Sequence, residues 1–361
     1  MRPRERFLAA IHRQPVDRVP VLDFLFQRPL YTALIGRTPA AYNAADAMAL
    51  TRALELDGVW IPFGAFAGWS PEQLAANVYK DEWGTTFEQN DASWPLDAPI
   101  AYPLAGRDDL PGYTPPDPWA AGRLDEIDAA VAINRSWGDE AVAVFGGVGG
   151  PFTTTWMLTG YESIGLQLYD DPEFLVALAQ IAADFSIAAA TRMAEAGVDG
   201  LIVSEDLGSS SGGLLAPAQF RAVFKPALGA IIRHIKSLGL PVLLHSCGCI
   251  YDYIDDAIEL GIDALHPLQR TAGMDLARVK AQYGDRICLV GNIDSSGTLP
   301  YGTPAEVEAE VRGALAAAMP GGGYILASDH SLHDGIPVAN IRAMLEAARR
   351  YGRYDQDTTR L

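Results

Sequence analysis

From residue 124 to residue 351 the chain alternates helical stretches with short runs that are almost wholly apolar. Few folds accommodate that rhythm. Apolar spacing predicts helices over 124–137, 163–169, 172–196, 217–238, 250–260, 275–283, 304–319 and 338–351. Between them, 141–146, 200–205, 241–245, 263–267, 287–292 and 324–328 read as strands. Gly197, Gly239, Gly261 and Gly284 stand where helices should stop, since glycine enters the left-handed C-cap conformation without strain. Strands apolar on both faces belong to a parallel sheet covered on both sides. Upstream, 4–13 and 44–56 have helical spacing, and 19–24 (VPVLDF) and 58–63 (GVWIPF) add two more strand candidates.

Alternating β and α units form either a doubly wound sheet or a barrel. Eight strands and no glycine-rich phosphate fingerprint favour the barrel. GGVGGP at 146–151 lacks the G-x-G-x-x-G spacing and runs straight into Pro151, so nucleotide binding is not expected. The expected fold is α/β, a single (β/α)8 TIM barrel over residues 1–361 with an N-terminal helical and hairpin excursion. The excursion is 64–118, rich in Pro, Asp, Trp and Tyr, with a hairpin at 79–89 and too few apolar runs to fold alone.

Composition narrows the function. A net charge of −18 and a pI near 4.6 disfavour nucleic acid, which asks for clustered Lys and Arg. Three cysteines argue for a reducing compartment over a disulfide framework. The charged N-terminus has no signal-peptide core, and no run reaches the roughly 20 apolar residues of a membrane span. A cytoplasmic protein with no membrane partner is expected. Apolar barrel surface would support a homodimer, without a specific interface signal.

In a barrel, chemistry gathers at the C-terminal ends of the strands. Those ends carry Asp23, Phe63, Glu205-Asp206, His245-Ser246-Cys247, His266, Asn292 and Asp329-His330, and four of the six histidines lie at or just beyond them. The run 240–249 (LPVLLHSCGC) places His245 and Cys247 two apart, on one side of an extended chain. With His330 they form a candidate zinc set, Glu205 or Cys249 being candidates for the fourth place. The plainer reading makes them ordinary polar residues at a barrel mouth, since H-x-C alone is a weak motif. Asp23, Phe63, Trp156, His266, Asn292 and Cys249 are the candidates for contact with substrate. Each has a structural alternative: helix packing for Trp156, a hydrogen-bonding role for His266, a turn for Asn292, a loop position beside the metal for Cys249. Cys288, inside ICLV, reads as a core thiol, and His333 as a loop residue.

Taken together, RERFLAAIHRQPVDRVPV, GGPFTTTWMLTGYE, GLIVSEDLGSSSGGLLAPAQFRAVFKPAL, GNID and ILASDHSLHDGIPVANI resemble the uroporphyrinogen decarboxylase superfamily over nearly the whole chain. The resemblance implies a (β/α)8 barrel and one of two chemistries. Tetrapyrrole decarboxylases of the superfamily carry an R-Q-A-G-R-Y-L-P-E stretch and an aspartate at the second strand end. Here those regions read DFLFQRPLYTAL, with Arg28 alone, and IPFGAFAG, and Trp156 or Met157 replaces a tyrosine. The cobamide-dependent methyltransferase branch carries H-x-C at the fifth strand, as in His245-Ser246-Cys247. Its third zinc ligand is a cysteine near the last strand, where this chain has His330.

That branch implies a zinc-dependent methyltransferase moving a methyl group between a corrinoid and a small thiol, methyl ether or other methylated donor. The D-x-H-x-x-G pattern of corrinoid carriers is absent, so methylcobalamin would arrive on a partner carrier protein. Glu205, Asp206 and Asp329 would orient ligands or move protons. The rival readings are a cofactor-free decarboxylase of a carboxylated substrate and a catalytically inactive binding protein.

Overall fold

The computed structural model describes residues 1–64, 70–91 and 94–354. Seven parallel strands make the central sheet: β1 (Gly58–Pro62), β2 (Ala143–Gly149), β3 (Gly200–Ser204), β4 (Val242–His245), β5 (Ala264–His266), β6 (Cys288–Ile293) and β7 (Tyr324–Ser328). Their spatial order is their chain order, so every strand pairs with its predecessor and successor. The sheet curls, with helices outside, and a continuous apolar core joins the two layers.

The expected strand 19–24 is not a full strand. It makes one parallel bridge, Val21 to Leu326. Leu326 N–H donates to Pro20 O (3.0 Å), Leu22 N–H to Leu326 O (3.1 Å) and Asp57 N–H to Val21 O (2.9 Å). The segment thus contacts both edge strands of the sheet. Pro20 has no N–H to give a ladder. Buried charge fixes this corner: Asp57, wholly buried, takes Arg6 (2.6 Å), Arg18 (3.0 Å) and the N–H of Val21 (3.0 Å). One carboxylate therefore ties the first helix (Pro3–Ile11), the 19–24 segment and β1 together.

Other departures have local causes. The stretch 217–238 is two helices, Pro217–Val223 and Lys225–Ser237, because Pro226 cannot supply an N–H to a helix running through it. The stretch 250–260 opens as a 3-10 turn before Ile254–Leu260. The predicted hairpin is present, but within a four-stranded antiparallel sheet of Glu72–Ala75, Val78–Lys80, Thr86–Glu88 and Ala98–Ala101. Tyr79 and Phe87 stack across it at 5.4 Å. Arg123 fastens it to the outer side of the curled sheet, paired with Glu82 and lying over the rings of Phe63 (5.8 Å) and Phe185 (5.2 Å).

The expectation of no span-length apolar stretch fails at Pro172–Ala196, which by length and composition alone could cross a membrane. Its apolarity has a packing cause. Phe174, Leu175, Leu178, Ala182 and Met193 are fully buried, and the helix packs on β2 and on the helices Pro151–Thr159 and Lys225–Ser237.

Candidate metal centre

Two strand ends, those of β4 and β7, carry the clustered residues, and β3 and β5 flank β4. His245 closes β4 in register with Ser204 on β3 and His266 on β5, so the three side chains share one face of the sheet. His245 Nδ1 and His266 Nδ1 lie 2.7 Å apart. One proton must sit between them, since two bare imidazole nitrogens have nothing to share. Phe24 packs on both rings (centroids 5.4 and 5.0 Å) and on Trp60 (4.7 Å). Trp60 fits only because Gly147 has no Cβ: a methyl there would meet the indole. The glycine-rich 146–151 stretch is therefore a packing device.

Cys247 is held by its loop. Ser246 Oγ accepts from Leu207 N–H (3.0 Å), and Cys247 N–H donates to Asp206 Oδ1 (3.3 Å). Gly248 N–H donates to Gln269 Oε1 (2.7 Å) and Cys249 N–H to Ser209 O (2.8 Å). Gly248, at φ +80°, lies against the Gly208 backbone, so the loops after β3 and β4 touch main chain to main chain.

His330 follows β7. Its neighbour Asp329 accepts from Ser295 N–H (2.8 Å), Ser295 Oγ–H (2.6 Å) and Arg270 N–H (3.0 Å). His333 holds the same turn, its Nε2 2.8 Å from Ser295 O. This scaffold brings ligand atoms of His245, Cys247 and His330 within 4.8 Å of one another, the one such group of three or more among the described residues. Since Nδ1 of His245 is engaged by His266, Nε2 is the nitrogen left to bind, and it lies 3.5 Å from Asp206 Oδ1. Burial holds His245 down at about 4 and also lowers His330. Both rings are therefore neutral, with lone pairs available. Burial pushes the Cys247 thiol up, with Asp206 adding to the effect. A bound cation reverses that, because a coordinating thiol loses its proton.

The other expected residues are placed as follows. Glu205 is wholly buried and points to the helix Pro151–Thr159, accepting from Phe152 N–H (3.0 Å) and Thr153 N–H (3.1 Å). Burial raises it to about 8 against the pull of those donors. It caps a helix and is not one of the three clustered donors. Asp23, also buried, accepts from Phe24 N–H, Ser328 N–H and Ser328 Oγ–H, and burial raises it to about 7. Asn292 donates to Leu268 O (3.1 Å) and Met274 O (3.4 Å). It lines a cavity of about 1020 Å³ with Arg270, Asp294 and Glu306, which none of the three clustered residues lines. Phe63 packs on Phe185 (5.9 Å), under Arg123 and Arg192.

Trp156 is half-buried and stacks on Tyr161 (4.8 Å, 13°). Its Nε1 and the Nε2 of His266 are buried with no partner among the described residues. Cys249 is half-buried against the core, and Cys288 is a buried core thiol, as expected. Tyr161 had not been expected. Burial raises its hydroxyl, with Asp206 and Cys247 adding to the effect, and only its position two residues beyond the helix containing Trp156 could have flagged it.

The uroporphyrinogen decarboxylase (URO-D) family profile matches residues 96–351. The chain belongs to this family. It is 27% identical over 357 residues to the methylcobamide:CoM methyltransferase MtaA of Methanosarcina barkeri, covering 96% of this chain and 98% of that protein. It is 28% identical over 367 residues to the uroporphyrinogen decarboxylase of Sodalis glossinidius, covering 96% of each. Among solved structures, a methyltransferase from Methanosarcina mazei shares the fold, with a TM-score of 0.75, 24% identity and coverage of 97% of this chain and 99% of that one. The family thus contains relatives of both chemistries at equal distance, and overall identity does not choose between them.

Proposed function

We propose that the chain is a zinc-dependent, corrinoid-linked methyltransferase built on a closed (β/α)8 barrel, with the 19–24 segment as the eighth stave. The observation that carries this reading is the convergence of His245, Cys247 and His330 from two separate strand ends. Two imidazoles and a thiol suit zinc, a borderline-soft ion that takes N and S ligands and in catalytic sites keeps one position open.

Zinc held there would supply Lewis acidity, keeping a thiol as thiolate or polarising the heteroatom of a methylated donor. The protein's own part is positioning. His266 fixes the His245 tautomer, and the Asp329–Ser295 and Ser246–Leu207 bonds hold the loops that carry His330 and Cys247. Asp206, at 3.5 Å from His245 Nε2, can hold a proton or orient a ligand. Glu205 and Asp23 support the site by fixing backbone, which is a different role from the metal and substrate contacts first expected of them.

The methyl-carrying corrinoid would come on a separate carrier protein at the strand ends, the methyl donor or acceptor being a small molecule. Decarboxylation of a polycarboxylate is the weaker reading. The one arginine in the 23–34 region, Arg28, is already taken by Asp334 (2.6 Å) and Asp91 (3.1 Å). The test is methyl transfer with free methylcobalamin against a panel of thiols and methyl ethers. Transfer that stops on chelation supports the proposal. Release of carbon dioxide from a porphyrinogen by metal-free protein would overturn it.

A further inference from the structure

Side chains alternate sides along a strand, and that alternation decides which acid reaches the cluster. Ser204 pairs in register with His245. The pairing runs on past the strands: Glu205 N–H donates to His245 O (2.8 Å) and Leu207 N–H to Ser246 Oγ (3.0 Å). Asp206, two residues beyond Ser204, therefore stands on the side of His245 and Cys247. Glu205 stands on the other, against the helix Pro151–Thr159. Cys249, the other residue expected for the fourth place, packs against the core.

Asp206 is fixed at both main chain and side chain. Its N–H donates to Thr153 Oγ1 (2.8 Å), and its Oδ1 accepts from Cys247 N–H (3.3 Å). The same oxygen lies 3.5 Å from His245 Nε2. Two donors bound about 2.0–2.1 Å from one tetrahedral ion stand about 3.4 Å apart. The observed separation is thus that of neighbouring ligands on a single zinc, and it is long for a hydrogen bond. Asp206 stands outside the group of three whose atoms lie within 4.8 Å of one another. Its side chain is 29% exposed, against 8% for His245, so it can be withdrawn without opening the core.

We propose that Asp206 is the fourth zinc ligand of the resting site, an exchangeable one that gives up its place to the incoming substrate. His245, Cys247 and His330 are the permanent set. The inference rests on the metal-centred reading above and names how access to that centre is regulated.

Cobalt(II), put in place of zinc in the full-length protein, reports its ligands through its visible absorption bands. Imidazole serves as an uncharged probe ligand. Asp206→Asn keeps an oxygen to accept the Cys247 N–H, and Asp206→Ala removes it. A carboxylate that holds the position in about nine molecules of ten weakens an incoming ligand about tenfold. Both variants should therefore bind imidazole at cobalt about tenfold more tightly than the wild type. Both should also lose zinc at a lower concentration of a chromophoric chelator. These opposite shifts mark a ligand, since loss of a merely structural residue would weaken both kinds of binding. The wild type supplies a readout that needs no variant to fold: the infrared difference between zinc-loaded and metal-free protein should show the carboxylate stretches of a metal-bound aspartate. Imidazole affinity unchanged or weakened in the folded variants, or a difference spectrum without those bands, overturns the proposal and leaves the three-residue centre standing. Wild-type protein that takes up neither cobalt nor zinc overturns the metal-centred reading itself, and the proposal with it.

Discussion

In the proposed metal centre, His266 is the residue that would make His245 a usable ligand. If its Nδ1 accepts the His245 Nδ1 proton, Nε2 of His245 is left bare, the task a carboxylate or carbonyl performs beside most metal-bound histidines. His266→Phe should therefore weaken zinc binding about 10–100-fold, read by competition with a chromophoric chelator. His266→Asn, whose amide oxygen can stand where Nδ1 stood, should retain most of it. Equal loss in both variants would point to packing instead. The residues legible in the sequence were those whose chemistry is rare: His245, Cys247 and His330 each stand within three residues of an apolar run. Asp329 and Asn292 follow apolar runs in the same way, yet they anchor loops. A polar residue at a strand end looks alike whether it faces a ligand or a backbone N–H, and the difference lies in contacts from distant chain. Tyr161 was missed for the same reason.

Buried carboxylates do much of the positioning between elements, and two make predictions. Glu205 is raised from 4.5 to about 8 by burial, so the folded state holds its proton more tightly than the unfolded one. Its contribution to stability is present below about 4.5 and is lost as pH rises through about 8. Thermal melts across that window should show the wild type losing stability with rising pH. Glu205→Gln should flatten the slope in part, leaving the share of Asp23, which is raised to about 7. A slope identical in both proteins would contradict this account of the cap. Asp57→Ala would leave Arg6, which is 6% exposed, paired with Asp17 alone (2.6 Å) and the N–H of Val21 without its acceptor, and should cost about 1–3 kcal/mol by denaturant melts. Strand and helix order was legible because buried parallel strands and helix-ending glycines leave local patterns. The break at Phe224 and the reduction of 19–24 to a bridge were less so. In both, a proline removes a hydrogen bond without changing the apolar pattern.

At the scale of the molecule, the curled sheet and its outer helices bring distant residues to one end of the strands. His245 and His330 are distant in sequence and share a cluster. The family membership agrees with the alternating pattern, while the relatives divide between two reactions. The weight of the functional reading therefore falls on the donor set. Zinc content of the purified protein, wild type against Cys247→Ala, tests it most directly. The account predicts about one zinc per wild-type chain and its loss in a folded Cys247→Ala protein. Native protein that carries intact thiols and binds no zinc, or a variant that keeps its zinc, would contradict it.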